Sequence, residues 1–160
     1  MTLEDWAALD EDVEGELVDG ILTEEEVPDA THETVVRFLL VLLHAYAKTR
    51  RGLVFVSGLK LAVRARRGRL ADVVCFFAGR QPPKRGLVHV PPDIVVEVVS
   101  PDASDERRDR IEKPDDYAAF GVRYYWLVDP ALRSFEVWEL DASGRYARAR
   151  SALSGILTDV

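Results

Sequence analysis

The chain has 160 residues, 48% hydrophobic and 31% charged, enough apolar mass for one buried core and too much for a disordered chain. A single cysteine excludes a disulfide framework and a cysteine-built zinc site, and the longest apolar run, Phe38–Leu43, is too short to span a membrane. The net charge of −7 argues at first sight against a nucleic-acid partner. With an acidic N-terminus unlike a signal peptide, a cytoplasmic, single-domain protein over residues 1–160 is expected.

In chain order, Leu3–Leu9 reads as a short helix capped by Thr2, with Glu4 and Asp5 in its first turn where the helix dipole favours carboxylates. Glu16–Asp19 and Ile21–Val27 read as strands around an Asp19-Gly20 turn. Thr31 is expected to cap a long helix reaching Lys48, apolar all round and hence buried on most sides. Strands follow at Leu53–Val63, Leu70–Phe77 and Ile94–Val99, with a turn at Arg66–Arg69 and a Pro-rich connection over Arg80–Pro92. Asp102–Phe120 looks helical, but Pro114 predicts a break or kink at Lys113. Tyr124–Val128 is another strand, and Ser134–Leu140 with Arg145–Arg150 forms a closing hairpin around Ser143-Gly144. The alternation predicts an α/β fold with a central mixed sheet flanked by helices.

Charge is unevenly distributed along these elements. Residues 1–33 hold 13 carboxylates and no Lys or Arg, leaving the remaining chain with 21 Lys or Arg against 15 acidic residues. Residues 34–69 contain nine Lys or Arg and no carboxylate. Two basic groups stand out as nucleic-acid-backbone contacts: Lys48, Arg50 and Arg51 at the end of the long helix, and Arg64, Arg66, Arg67 and Arg69 around a turn. Taken alone, the same pattern also fits an acidic flap over an ordinary surface.

Glu97 is the anomaly that points to chemistry. It interrupts Ile94-Val95-Val96-Glu97-Val98-Val99, a β-branched run of the kind that is buried on both faces of a sheet. A carboxylate there has to be paired, protonated or bound to a cation, because an isolated buried charge costs several kcal/mol. Asp72 repeats the anomaly at the start of Val73-Val74-Cys75-Phe76. Two carboxylates on neighbouring central strands form an oxygen donor pair that suits Mg²⁺ or Mn²⁺.

The ordered set Ala71-Asp72-Val73, Asp93-Ile94-Val95-Val96-Glu97-Val98-Val99-Ser100-Pro101, Lys113 with Tyr117, Gly121-Val122 and Tyr125-Trp126-Leu127-Val128-Asp129-Pro130 resembles the Uma2 family of the PD-(D/E)XK nuclease superfamily. The likeness extends upstream to Glu16-Leu17-Val18-Asp19-Gly20 and His32, and so covers nearly the whole chain. It implies a restriction-endonuclease-like fold and a metal-dependent endonuclease hydrolysing phosphodiester bonds in DNA. On this resemblance Asp72 and Glu97 bind Mg²⁺ or Mn²⁺, with the Val98 carbonyl as a further ligand. Val99 stands where the superfamily places its catalytic lysine, and the family resemblance moves that role to Lys113 on the following helix. Glu16 and His32 are further candidates. Glu16 is an acidic residue matching the family's position, and His32 sits at a helix N-terminus, whose dipole is expected to keep it neutral. A homodimer is implied by the family and by the need to cut two strands. The rivals are a non-catalytic module of the same fold, binding nucleic acid or a protein, and a hydrolase of smaller phosphate esters.

Overall fold

The computed structural model describes residues 1–10, 13, 15–24, 27–56, 58–100 and 107–153. In chain order its elements are α1 (Leu3–Ala7), β1 (Glu16–Val18), β2 (Ile21–Thr23), α2 (Ala30–Thr49), β3 (Leu53–Val56), β4 (Leu61–Arg64) and β5 (Arg67–Arg69). There follow β6 (Val73–Phe76), β7 (Ile94–Val98), a π-helical segment (Arg108–Glu112), α3 (Lys113–Phe120), β8 (Tyr124–Asp129), β9 (Ser134–Leu140) and β10 (Tyr146–Ala152). Asp102 and Asp105, in the expected start of the second long helix, and Pro101 before it lie outside the described residues. Among the described residues, no helix is long and apolar enough to cross a membrane.

The main sheet has six strands in the order β10-β9-β8-β7-β6-β3. It is antiparallel except for β7 and β8, which run parallel through the π-helical segment and α3 as their crossover. A smaller sheet of order β2-β1-β5-β4 packs beside it. The expected strand Leu53–Val63 is therefore two strands, β3 and β4, in different sheets. Gly58 separates them with φ +76°, a left-handed conformation that a continuous strand does not contain. The predicted Arg66–Arg69 turn is likewise shorter: only its first residue lies in the turn, and Arg67–Arg69 is strand.

Each face of the six-stranded sheet has its own core. On one face Val73, Cys75, Ile94, Val96 and Val98 meet Val36, Leu39, Leu43 and Ala47 of α2. On the other, Val74, Phe76, Val95, Tyr125 and Leu127 meet Tyr117 of α3 and Leu61 and Val63 of β4. All five residues of β7 are buried, as its β-branched run predicts. The long helix departs from expectation in two ways. Asp29 rather than Thr31 caps it, accepting from the His32 amide at 2.8 Å, so the cap lies two residues earlier. It is also not buried on most sides: Phe38 and Val41 are each 66% exposed.

Helix α1 is capped by Thr2 as expected, and the cap is a full capping box, with Thr2 Oγ1 accepting from the Asp5 amide at 3.1 Å and the Asp5 carboxylate accepting from the Thr2 amide at 2.9 Å. It seats Trp6 flat against Gly68 of β5, where a Cβ would fall 2.1 Å from the indole ring. Gly68→Ala is therefore expected to displace Trp6 and cost about 1–3 kcal/mol. A lower denaturant midpoint, with loss of the native Trp6 fluorescence environment, checks this. Cys75, at the centre of the sheet, has its thiol pushed up to about 12 by burial. Because its folded pKa lies above the ordinary value, the neutral thiol's contribution is full below about pH 9 and is lost as pH climbs toward the folded value. Alkylation of the native protein at neutral pH should proceed only as fast as global unfolding.

Candidate active site

The site is built where β6 begins and β7 ends. Val73 pairs with Val96, and one further step of that antiparallel register sets Asp72 opposite Glu97, on the same face of the sheet. The link is tightened by the Val98 amide, which donates to Asp72 Oδ2 at 2.7 Å. Asp72 is partly open, with 23% of its side chain exposed. Glu97 is sealed, at 2% exposure.

Two donors hold Glu97, both from the helical segment that follows. Lys113 Nζ lies 2.9 Å from Oε2 and the Tyr117 hydroxyl donates to Oε1 at 2.5 Å. Lys113 also reaches Asp109 Oδ1 at 3.1 Å and Glu16 Oε1 at 3.9 Å. The charged stretch from Arg107 to Asp116 thus turns one side inward, burying Asp109, Lys113 and Asp116, while Arg107 and Asp115 stay exposed. Its local geometry makes this possible. The expected irregularity falls at Lys113, where a π-helix over Arg108–Glu112 gives way to α3 with Pro114 in its first turn; Pro114 has no amide to give the preceding turn. The Tyr125 hydroxyl anchors the wide turn by donating to the Asp109 carbonyl at 2.6 Å.

The electrostatics follow from this crowding. Burial pushes the Glu97 carboxyl well above the usual carboxylate range, Lys113 opposes that shift, and the charges of Asp72, Asp109 and Glu16 add to it. Burial alone disfavours the Lys113 ammonium, yet Glu97, Glu16 and Asp109 outweigh it and raise the lysine well above its ordinary value. The surrounding acids thus favour the charged ammonium.

Glu16 is buried, not part of a solvated flap. It accepts from Arg69 Nη1 at 2.5 Å and from the Leu70 amide at 2.9 Å. His32 comes to Asp72 from the first turn of α2, with Nε2 at 3.3 Å from Oδ2. The expectation of a dipole-neutralised imidazole is corrected here. The contact with Asp72 raises the His32 pKa, against the opposing effect of burial, and favours the imidazolium. Its Nδ1 is buried and has no hydrogen-bond partner among the described residues; Glu33 is 3.9 Å away. His32 also lines an open cleft of about 410 Å³, together with Asp29, Thr31, Val99, Ser100, Asp129, Pro130 and Leu132.

The predicted phosphate contacts fare differently. Arg69 is fully buried between Glu16 and Asp116, with Nη2 2.7 Å from Asp116 Oδ2, so it cannot reach a nucleic acid. Arg67 is spent on Asp19 and Asp116, and Arg64 pairs with Asp116 at 3.1 Å while half of it stays in solvent. Arg66 is exposed. Arg50 and Arg51 sit at the C-terminal end of α2, some 30 Å along the helix from His32, and Arg50 stacks on Tyr46 at 3.8 Å. Neither belongs to the Asp72–Glu97 end of the molecule. The sequence reading placed no function on Asp109, Asp116 or the Tyr117 hydroxyl. The signal was present: Asp109, Lys113, Asp116 and Tyr117 recur at helical spacing and so share one face.

The chain matches the Uma2 family, described as "Putative restriction endonuclease", over residues 2–157. It belongs to that family. A crystal structure described as a "putative nuclease belonging to DUF820", from Anabaena variabilis ATCC 29413, is similar with a TM-score of 0.70 and 18% identity, over 87% of this chain and 79% of that one. At that identity the likeness establishes the fold. No curated protein matches the sequence.

Lys113→Met tests the central pair. Removing the ammonium leaves Glu97 buried without the cation that most favours its charge, a loss of about 3–5 kcal/mol. The sign with pH follows: Glu97's folded pKa lies above the ordinary value of 4.5, so stability is full below that value and falls as pH rises through the folded one. With chelator present, the gap in denaturant midpoint between variant and native protein should be wider at about pH 8 than at about pH 5.

Proposed function

We propose that this Uma2-family protein is a metal-dependent endonuclease that hydrolyses phosphodiester bonds in DNA, with its site at Asp72, Glu97 and Lys113. The observation that carries the proposal is the face-to-face placement of Asp72 and Glu97 on adjacent strands with Lys113 on Glu97. The donor set suits Mg²⁺ or Mn²⁺. Asp72, Glu97 and the Val98 carbonyl are hard oxygen donors, and the acids around Glu97 hold its carboxyl in an environment that a further cation would relieve. Among the described residues no three His, Cys, Asp or Glu side chains are arranged to enclose a metal ion. Two carboxylates and a carbonyl match a cation that keeps positions for water and substrate phosphate.

When bound, the cation supplies a water of lowered pKa and charge neutralisation at the phosphate. The chain's own residues do the positioning. Glu97 is oriented by the Tyr117 hydroxyl, and Asp72 by the Val98 amide. Lys113 carries a fixed positive charge into the site from α3, as a lysine two residues past Glu97 would, and so stands in for Val99. Arg69 locks Glu16 behind Lys113, which keeps the ammonium directed at the strand end. His32, with Nε2 on Asp72, holds that carboxylate from the side of the cleft that it lines.

A second reading has one observation in its favour. Both oxygens of Glu97 already have donors in Lys113 and Tyr117, as in a structural ion pair of a non-catalytic module. Plasmid cleavage separates the two. The native protein should nick or cut DNA with Mg²⁺ or Mn²⁺ and lose all activity in chelator. Glu97→Gln and Asp72→Asn should abolish cleavage with the fold retained, and Lys113→Ala should slow it about tenfold or more. Protein that binds Mn²⁺ yet cuts neither DNA nor RNA would assign the module instead.

A further inference from the structure

The end of the main sheet remote from Asp72 and Glu97 carries a row of cations that the proposed site does not use. Backbone bonds tie this end together in strand order. The Ala78 amide donates to the Arg50 carbonyl at 3.3 Å, and the Asp93 amide to the Cys75 carbonyl at 2.9 Å. The Tyr124 amide donates to the Asp93 carbonyl and the Leu140 amide to the Arg123 carbonyl, both at 2.9 Å, and the Asp141 amide to the Arg145 carbonyl at 2.8 Å. Arg50 and Arg51 before β3, Arg80 after β6, Arg123 before β8 and Arg145 before β10 therefore share one end of the sheet, with Lys48 of α2 beside them. All six are exposed, and across six strands the row is about 24 Å long. Few carboxylates answer it. Asp93 is buried 3.6 Å from Arg80, Glu139 lies 3.4 Å from Arg123, and Asp141 accepts from the Ser143 and Arg145 amides of its own turn. Among the described residues no carboxylate pairs with Lys48, Arg50, Arg51 or Arg145. Lys48 and Arg50 complement the dipole of α2, but Arg80 and Arg145 adjoin strands, whose dipoles nearly cancel. Arg51 holds a left-handed backbone, φ +52°, just past the end of α2, where glycine is usual.

We infer that this row is an anchor for the backbone of a nucleic acid, separate from the cleavage site and independent of its cation. The choice of nucleic acid among polyanions rests on the nuclease reading above. Five of the six side chains are arginines, whose planar fork pairs with two phosphate oxygens at once. A duplex presents one phosphate every ~3.4 Å along each strand, so the row can follow about seven of them. Helix α2 sets the row some 30 Å from His32, so the segment it anchors is not the segment at the metal. The two ends also differ in sign. Asp29, Glu33 and Asp72 lie open or partly open at the metal end, which without a cation repels phosphate, whereas the row attracts it with or without metal.

Fluorescence anisotropy of a short labelled duplex in chelator, where the metal end has no cation to hold phosphate, reads the row alone. The native protein should bind, and four unpaired cations should make its affinity fall about a hundredfold between ~50 and ~200 mM salt. The triple variant Lys48→Ala, Arg51→Gly and Arg145→Ala breaks no ion pair and should keep the native circular dichroism. It should bind at least about tenfold more weakly, with the salt slope flattened by about 3. Arg51→Gly alone, which relieves the left-handed backbone, should flatten the slope by about 1. Glu97→Gln should bind as the native protein does. No binding in chelator, binding that ignores salt, or equal affinity in the triple variant overturns the inference and leaves the nuclease reading to plasmid cleavage. Binding lost in Glu97→Gln places the duplex at the metal end and overturns it too. So does capture of phosphatidylserine vesicles with no binding of DNA, which assigns the row to a membrane. A native protein that binds in chelator as described, yet cuts nothing with Mg²⁺ or Mn²⁺, overturns the nuclease reading and leaves the anchor standing.

Discussion

A carboxylate in the centre of a sheet is the constraint from which the rest of the structure follows. Glu97 lies in a strand buried on both faces, where an unpaired charge would cost several kcal/mol. The fold answers by bringing a lysine and a tyrosine hydroxyl to its two oxygens from a single helix face. That delivery needs the helix to pass close over the strand end. The π-helical turn before Lys113, tied down by Tyr125, swings the face into place.

The cation brought in for Glu97 has to be contained in turn. Lys113 meets Asp109 and Glu16, Glu16 meets Arg69, and Arg69 meets Asp116 on the same helix as Lys113. The chain of alternating charges closes on α3 and joins the small sheet to the helix that covers the large one. Each member is buried, so loss of one leaves its neighbour uncompensated, and the network specifies one docking of the small sheet. Its chemical consequence is an excess of acid at the open end, where Asp72 alone of these carboxylates is partly exposed.

Helix α2 serves both ends of this arrangement. Its N-terminus delivers His32 to Asp72, and its buried stripe covers the sheet face opposite Lys113. The charged residues at its far end are separated from the Asp72–Glu97 end by the helix length itself. A second apolar stripe on the same helix, with Phe38, Val41 and Leu42, stays exposed among the described residues.

Much of this was legible in the residue order. The β-branched run around Glu97 marks a central strand, Asp72 stands out at the head of another, and Lys113 with Tyr117 follows at a helical spacing. Sequence by itself determined the pairing of strong strands with a long helix, the burial of Glu97, and the family. It could not say which charges turn inward. Arg69 and Arg66 sit three residues apart in one basic cluster, yet one is sealed between Glu16 and Asp116 and the other faces water. Their fates depend on α3, nearly fifty residues later in the chain, closing over β5. The same holds for the apolar circumference of α2, where composition predicts burial on most sides and one sheet face covers only one stripe. Local pattern sets what each element needs to bury, whereas only the tertiary arrangement decides which partner satisfies it, because a buried charge or an apolar face is paid for by residues far away in sequence.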